Sequence, residues 1–331
     1  MEEKILGVLY GMAIGDAMGM PPELWSRKRL LREYGEIKGF LDGHPDNEIS
    51  YQYRAGNFTD DTSQAIAILD SLIETDFVPD AASIAEHILE WARRENAFEN
   101  KILGPTSRVS LQMFAEGKDP KAFSDQALSN GAAMRIPPLG TLFPAKQKKE
   151  LCDYVAAISR VTHSSDITIT GAAMVAMAVA SALEYGDRER MLEDVYAVEE
   201  YAMSLGAETV SPMLSTRIAY GVRLAREYEG DDQGFLEALY RMMGAGVNTA
   251  DSVPCAIAIA YYSFDVKKCA LLCANLGGDT DTIGAMATAI CGGVSGIRGI
   301  PEGYIRLIQQ VNHVDFTPYA EKMMERRGKL S

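Results

Sequence analysis

Gly277-Gly278-Asp279-Thr280-Asp281-Thr282-Ile283-Gly284 is the stretch from which the chain is best read. Two glycines permit a tight turn. Aspartate and threonine then supply good helix caps, and acids in a first turn contribute about 0.3–1 kcal/mol. The spacing predicts a helix of small residues from Ile283 to about Val294. A second stretch, Phe58-Thr59-Asp60-Asp61-Thr62, is built alike and opens a predicted helix from Thr59 to about Thr75. Taken singly, each reads as a well-made helix start. Taken together, Asp60, Asp61, Asp279 and Asp281 stand beside Thr59, Thr62, Thr280 and Thr282, an oxygen-only set that suits hard divalent cations. Gathered without cations, two such charges 4 Å apart would repel by about 4 kcal/mol at an effective dielectric of 20. An EF-hand is excluded, because Ile283 and Ile290 occupy positions that need oxygen ligands.

Outward from these stretches the pattern is helical. Residues 3–19 carry a broad apolar face, with Gly11, Gly15 and Gly19 every four residues. Three helical glycines at about 1 kcal/mol each imply close approach of another backbone. Asp16 lies inside this helix, either as a plain acid near its end or as a partner of the acidic stretches. Pro21-Pro22 ends the helix just before Glu23. Residues 37–57, broken by Gly39, Gly43, Pro45 and Gly56, are expected to form a mobile loop with at most a short hairpin. Further helices are predicted at 81–95, 148–163, 167–185, 188–204, 212–228, 233–243, Ser252–Tyr262, Val266–Asn275, 301–311 and 317–327. Gly104-Pro105-Thr106-Ser107 opens another, whose N-terminus either is a plain cap or donates N–H groups to an anion. Ser129 to Gly140 packs small residues around Asn130 and Arg135 and stops at Pro137-Pro138. The expected fold is all-α, one domain over residues 1–331.

Composition narrows the function. Apolar residues make up 47% and charged residues 24% of 331, ordinary for a globular protein. A net charge of −14 argues against strong nucleic-acid binding or attraction to anionic lipid. The five cysteines read as buried free thiols in a reducing cytoplasm, since no second pair completes a zinc site with Cys269 and Cys273. The acidic N-terminus is unlike a signal peptide. The apolar run from Ala172 to Leu183 is shorter than the roughly 20 residues a bilayer needs and reads as a buried helix.

Five motifs in one order resemble the ADP-ribosylglycohydrolases: Gly15-Asp16-Ala17-Met18-Gly19 with Glu23, Phe58 to Thr62, Asn130 to Arg135, Thr162-His163, and Gly277 to Gly284. The resemblance runs nearly end to end and is nearest to uncharacterised bacterial members with Pro-Glu-Leu-Trp after the first motif. It implies a compact all-α fold with a central cleft holding two Mg²⁺ or Mn²⁺ ions. By motif, Thr59, Asp60, Asp61, Asp279, Asp281 and Thr282 are the implied metal ligands. Glu23 and Asp61 are the implied catalytic carboxylates. Asp16, Asn130, Gly131, Met134 and His163 are implied to line the substrate cleft, with Gly104, Thr106 and Ser107 part of a diphosphate cradle. The implied reaction is hydrolysis at the anomeric carbon of an ADP-ribosyl group on a modified acceptor. The alternative is metal-dependent cleavage of a small nucleoside or ribosyl metabolite. A non-catalytic binding or structural protein is disfavoured, because every acidic ligand position is intact. A monomer is expected. Residues 37–57 match neither arginine-specific nor serine-specific members, which leaves the leaving group open.

Overall fold

The computed structural model describes residues 1–100 and 102–330; Lys101 and Ser331, within the expected single domain, lie outside the described residues. Among the described residues there are seventeen α-helices and two 3₁₀ turns, with no strand and only three isolated β-bridges. The all-α expectation holds. The molecule is one helical domain with a continuous apolar core.

The Glu2–Gly19 helix is buried from Ile5 to Gly19 and packs most extensively against the Thr280–Ser295 helix. The two run antiparallel. Gly7 faces Gly292, Gly11 faces Thr288, Gly15 faces Gly284, and Gly19 faces Thr280. A Cβ at any of these four glycines would fall on a carbonyl oxygen of the partner helix. The small-residue ridge is therefore the contact itself, one turn longer than Gly11–Gly19 suggested. Thr280 and Thr288 donate their hydroxyls across the seam to the carbonyls of Gly19 (2.7 Å) and Gly11 (2.6 Å). This pairing brings Asp16 next to the start of the Thr280–Ser295 helix, and it positions the site.

Several boundaries differ from the sequence reading. The last glycine-rich helix starts at Thr280, so Asp281 and Thr282 lie in its first turn. The predicted 188–204 helix is two, Arg188–Tyr196 and Glu199–Met203. The break lets buried Glu199 accept the Ser215 amide (2.9 Å), a partner that periodicity cannot show. The Thr249–Ser263 helix begins before the predicted Ser252 and carries Pro254 inside it. A short helix, Arg27–Glu33, capped by Ser26, was not expected. Residues 37–57 form turns without a hairpin, and Asn47 and Ser50 bond back to Pro21.

The apolar run forms part of a buried helix, as expected, but the whole Asp166–Tyr185 helix, at 20 residues, is long and apolar enough to cross a membrane. Its most apolar 18-residue window is wholly buried inside the protein, so its apolarity serves the core. All five cysteines are free and buried.

Candidate functional site

The first acidic stretch is held open by a neighbour. Thr59, in extended conformation, precedes the Asp60–Glu74 helix without capping it through its own side chain. Asp16 caps it instead. One Asp16 oxygen accepts the Thr59 amide (2.8 Å) and hydroxyl (2.9 Å); the other accepts the Thr62 amide (3.0 Å) and hydroxyl (2.6 Å). Asp60 and Asp61 are thereby released from capping. Asp16, expected to line the substrate cleft, has both oxygens committed to the Thr59–Thr62 turn, which it positions.

The second stretch is pinned from three sides. Gly277 and Gly278 both have φ of +85°, where side chains are strained, and a Cβ on Gly278 would strike the Ala245 carbonyl. The Asp279 amide donates to that carbonyl (2.7 Å). Gly278 exchanges two backbone hydrogen bonds with the loop after the first helix, accepting from Leu24 and donating to Trp25, each 2.7 Å. Leu24, at φ +57°, is held in a conformation costly for a leucine. Next to it, Asn47 Nδ2 holds the Glu23 carbonyl (3.0 Å).

The two stretches converge. Thr282 lies against both Asp61 and Asp279. Glu23 faces Asp279, Asp60, Asp61 and Asp16. Burial, and then mutual repulsion, drives the carboxyls upward: Asp16 to about 8, Asp279 to about 7, and Glu23, Asp60 and Asp281 well above their usual range. Burial raises Asp61 to about 6 against the pull of the Thr282 and Thr59 hydroxyls. Among the described residues, no three acid, histidine or cysteine side chains close into a ready-made metal cage.

Does this set fit a divalent cation? Two oxygens answer directly. Asp61 Oδ1 and Asp281 Oδ1, one from each stretch, are buried without a hydrogen-bond partner. An unpaired buried carboxylate oxygen is costly, and a cation satisfies it. The surrounding donors are all oxygen, with threonine hydroxyls among them. Mg²⁺ uses few carboxylates and keeps several waters, so a cage closed by protein alone is not required. The residues fit the group.

The raised carboxyls predict an unusual pH response. In an unfolded chain, aspartates titrate near 4. Folded and metal-free, Asp61, Asp279 and Asp16 hold protons up to about 6, 7 and 8. Between about pH 4 and 8 the folded state binds more protons, so the contribution of these groups to stability falls as pH rises. Melting metal-free protein at about pH 5.5 and 8 should show the lower Tm at 8, with Mg²⁺ restoring more there because it competes with fewer protons. A metal-free Tm that rises over this range contradicts the assignment.

A polar edge continues from the acids. Asn130 donates through Nδ2 to Asp279 Oδ2 (2.5 Å) and to Ser252 (3.0 Å). Gly131 packs against the His163 ring edge at Cε1 and Nε2 and near Ser107, with no room for a Cβ. His163 is buried and bonds Ser129 (3.0 Å). Ser129 in turn meets Thr106 (3.1 Å), in the first turn of the Pro105–Ala115 helix. Gly104, exposed, caps that helix. Met134 is buried behind this edge, its amide closing a turn onto the Asn130 carbonyl (3.0 Å).

Sequence reasoning missed three contributors. Gln64 donates to Asp60 (2.9 Å), and the fully buried Arg135 holds Gln64 (2.7 Å). Tyr53, from the turn-rich segment, faces Asp60, Glu23, Asp16 and Asp281, and burial beside those acids raises its phenol. Its alternation with Tyr51 was the only signal. A phenol kept neutral beside carboxylates is a hydrogen-bond donor. Tyr53→Phe should lower kcat/KM about five- to tenfold with Tm unchanged; equal kcat/KM would remove Tyr53 from the site.

Comparison with known proteins follows the same lines. The sequence profile of the ADP-ribosylglycohydrolase family matches residues 1–330. The chain is 40% identical over 326 residues to the uncharacterized protein YegU of Escherichia coli, covering 98% of this chain and 97% of that one. It is 24% identical over 308 residues to the ADP-ribosyl-(dinitrogen reductase) glycohydrolase of Rhodospirillum rubrum, covering 92% and 90%. A solved structure, described as an ADP-ribosylglycohydrolase-related protein complex, superposes with a TM-score of 0.71 at 22% identity and 98% coverage of each chain. The last comparison speaks for the fold alone.

Proposed function

The chain belongs to the ADP-ribosylglycohydrolase family, whose members are glycosidic-bond hydrolases, and we propose that it is a divalent-cation-dependent hydrolase that releases ADP-ribose from a modified acceptor. One observation carries the reading: two distant acidic turns meet around Asp61 Oδ1 and Asp281 Oδ1, both buried and unpaired.

In this proposal Thr59, Asp60, Asp61, Asp279, Asp281 and Thr282 hold two ions, Mg²⁺ or Mn²⁺. When bound, the ions supply Lewis-acid polarisation of the ribose hydroxyls and offset the carboxylate charge. The chain's own residues do the rest. Glu23 and Asp61 flank the anomeric carbon. The bond from that carbon to the acceptor nitrogen or oxygen breaks, a water oxygen takes its place, one protonated carboxyl gives its proton to the leaving atom, and a carboxylate takes the proton that the water loses. The positive charge that develops on the sugar is stabilised by the surrounding carboxylates. Asn130 orients Asp279, and Thr106, Ser107, Gly131 and His163 form the edge that takes the ADP portion.

The test is product release. The protein with Mg²⁺ is incubated separately with arginine-linked, serine-linked and nucleic-acid-linked ADP-ribose and with free nucleosides. Free ADP-ribose from at least one conjugate, suppressed by EDTA, is the expected result. Release of base from nucleosides alone would move the substrate to small ribosides, and no release from any of them contradicts the proposal.

A further inference from the structure

The acidic site and the Pro105–Ala115 helix are joined by one unbroken line of hydrogen bonds, and its direction is set by Arg135. This residue is fully buried, and a guanidinium only donates. Its Nη1 donates to Gln64 Oε1 (2.7 Å), which leaves the Gln64 amide to donate to Asp60 (2.9 Å). Its Nη2 donates to Thr162 Oγ1 (2.5 Å). Thr162 Oγ1 also lies 2.7 Å from His163 Nδ1.

Because Thr162 already accepts from Arg135, its own proton satisfies His163 Nδ1. The opposite arrangement, with Nδ1 donating, would strand a buried hydroxyl proton, which costs more than the bond it replaces. The ring then carries its proton on Nε2, which donates to Ser129 Oγ (3.0 Å). Ser129 and Thr106 share one hydrogen bond (3.1 Å), and because Ser129 already accepts from Nε2, the pair keeps one hydroxyl proton free to donate outward. A Cβ on Gly131 would fall on Cε1 and Nε2 of the ring, so only glycine leaves it this space. Burial and the nearby guanidinium push the imidazole down to about 3, so it stays neutral at working pH.

We infer that Arg135 is a positioning residue: through Thr162 it fixes the tautomer of His163, and so leaves the Ser129–Thr106 pair one hydroxyl proton to donate toward an anionic group of the ligand. The same guanidinium orients Gln64 on Asp60, so one buried cation sets both ends of the site. The identity of that anion as a diphosphate rests on the proposed function; the tautomer does not.

The experiment reads the ring directly. Long-range ¹H–¹⁵N correlation on the labelled full-length protein, with His163→Gln to assign the signal among four histidines, reports which nitrogen is protonated. Wild type should show neutral Nε2–H from about pH 5.5 to 8.5. Thr162→Val should give a mixture of tautomers and weaken ADP-ribose binding about tenfold. Arg135→Lys, which keeps the charge without the two-pronged geometry, should do the same. Thermal melts establish that each variant is folded; should Arg135→Lys not fold, Thr162→Val decides. A wild-type ring protonated on Nδ1, or an unchanged tautomer in folded Thr162→Val, overturns the inference. If wild type fails to bind ADP-ribose, the functional proposal falls while the ring signal still decides the relay.

Discussion

Asp281→Asn will abolish divalent-cation binding and lower turnover at least about 100-fold, while leaving the metal-free protein as stable as wild type or more so. Asp281 is buried and has an oxygen with no partner. Its carboxyl is pushed well up by burial and by Glu23, Asp61, Asp279 and Asp16. In the metal-free fold that charge is a burden, so a neutral amide of the same shape relieves repulsion. With cation present the balance reverses, because the amide removes one negative ligand. A ligand at 100 times its Kd stabilises by about 2.7 kcal/mol. Wild type should therefore melt higher with saturating Mg²⁺, and Asp281→Asn should lose most of that shift. Melting curves with and without Mg²⁺, run beside a turnover assay, separate this from misfolding. An Asp281→Asn protein with the wild-type Mg²⁺ shift and turnover would remove Asp281 from the site.

Gly15→Ala will destabilise the fold by at least about 2 kcal/mol, although alanine is the better helix former by about 1 kcal/mol. The added Cβ would fall on the Thr288 hydroxyl and the Gly284 carbonyl. A side chain can rotate away from such a contact, but a helix backbone cannot. The Glu2–Gly19 and Thr280–Ser295 helices must then separate along a seam held at four glycine positions. For a chain of this size, 2 kcal/mol lowers Tm by roughly 3 °C or more. The seam also carries Asp16 and the turn beginning at Asp279, so cation affinity should fall with stability. Denaturant melts and cation titrations measure both. A Gly15→Ala protein of equal or greater stability would mean that propensity, not backbone contact, governs this position.

The glycine spacing at 11, 15 and 19 already required a close partner, but the sequence could not say which helix it was or that Gly7 joins in. The acidic turns were legible because each sets two aspartates among threonines within one short local stretch. Asp16 was harder to read. Its position in an apolar helix left two readings, and only the fold shows it capping a turn 43 residues away. Gln64, Arg135 and Thr162 act through hydrogen bonds between distant segments, which no period or composition records. Tyr53 came from a segment read as a loop, where side-chain direction depends on turns that Asn47 and Ser50 fix from outside. The break before Glu199 has the same origin. Local chemistry was readable; partnerships across the fold were not.

The central claim is that the converged acidic turns bind an ADP-ribosyl group through divalent cations. Isothermal titration calorimetry of the Mg²⁺-loaded protein with ADP-ribose, beside an EDTA-treated control, tests it most directly. Binding that appears with Mg²⁺ and vanishes in the control is the predicted result. Equal binding in both, or none in either, contradicts it.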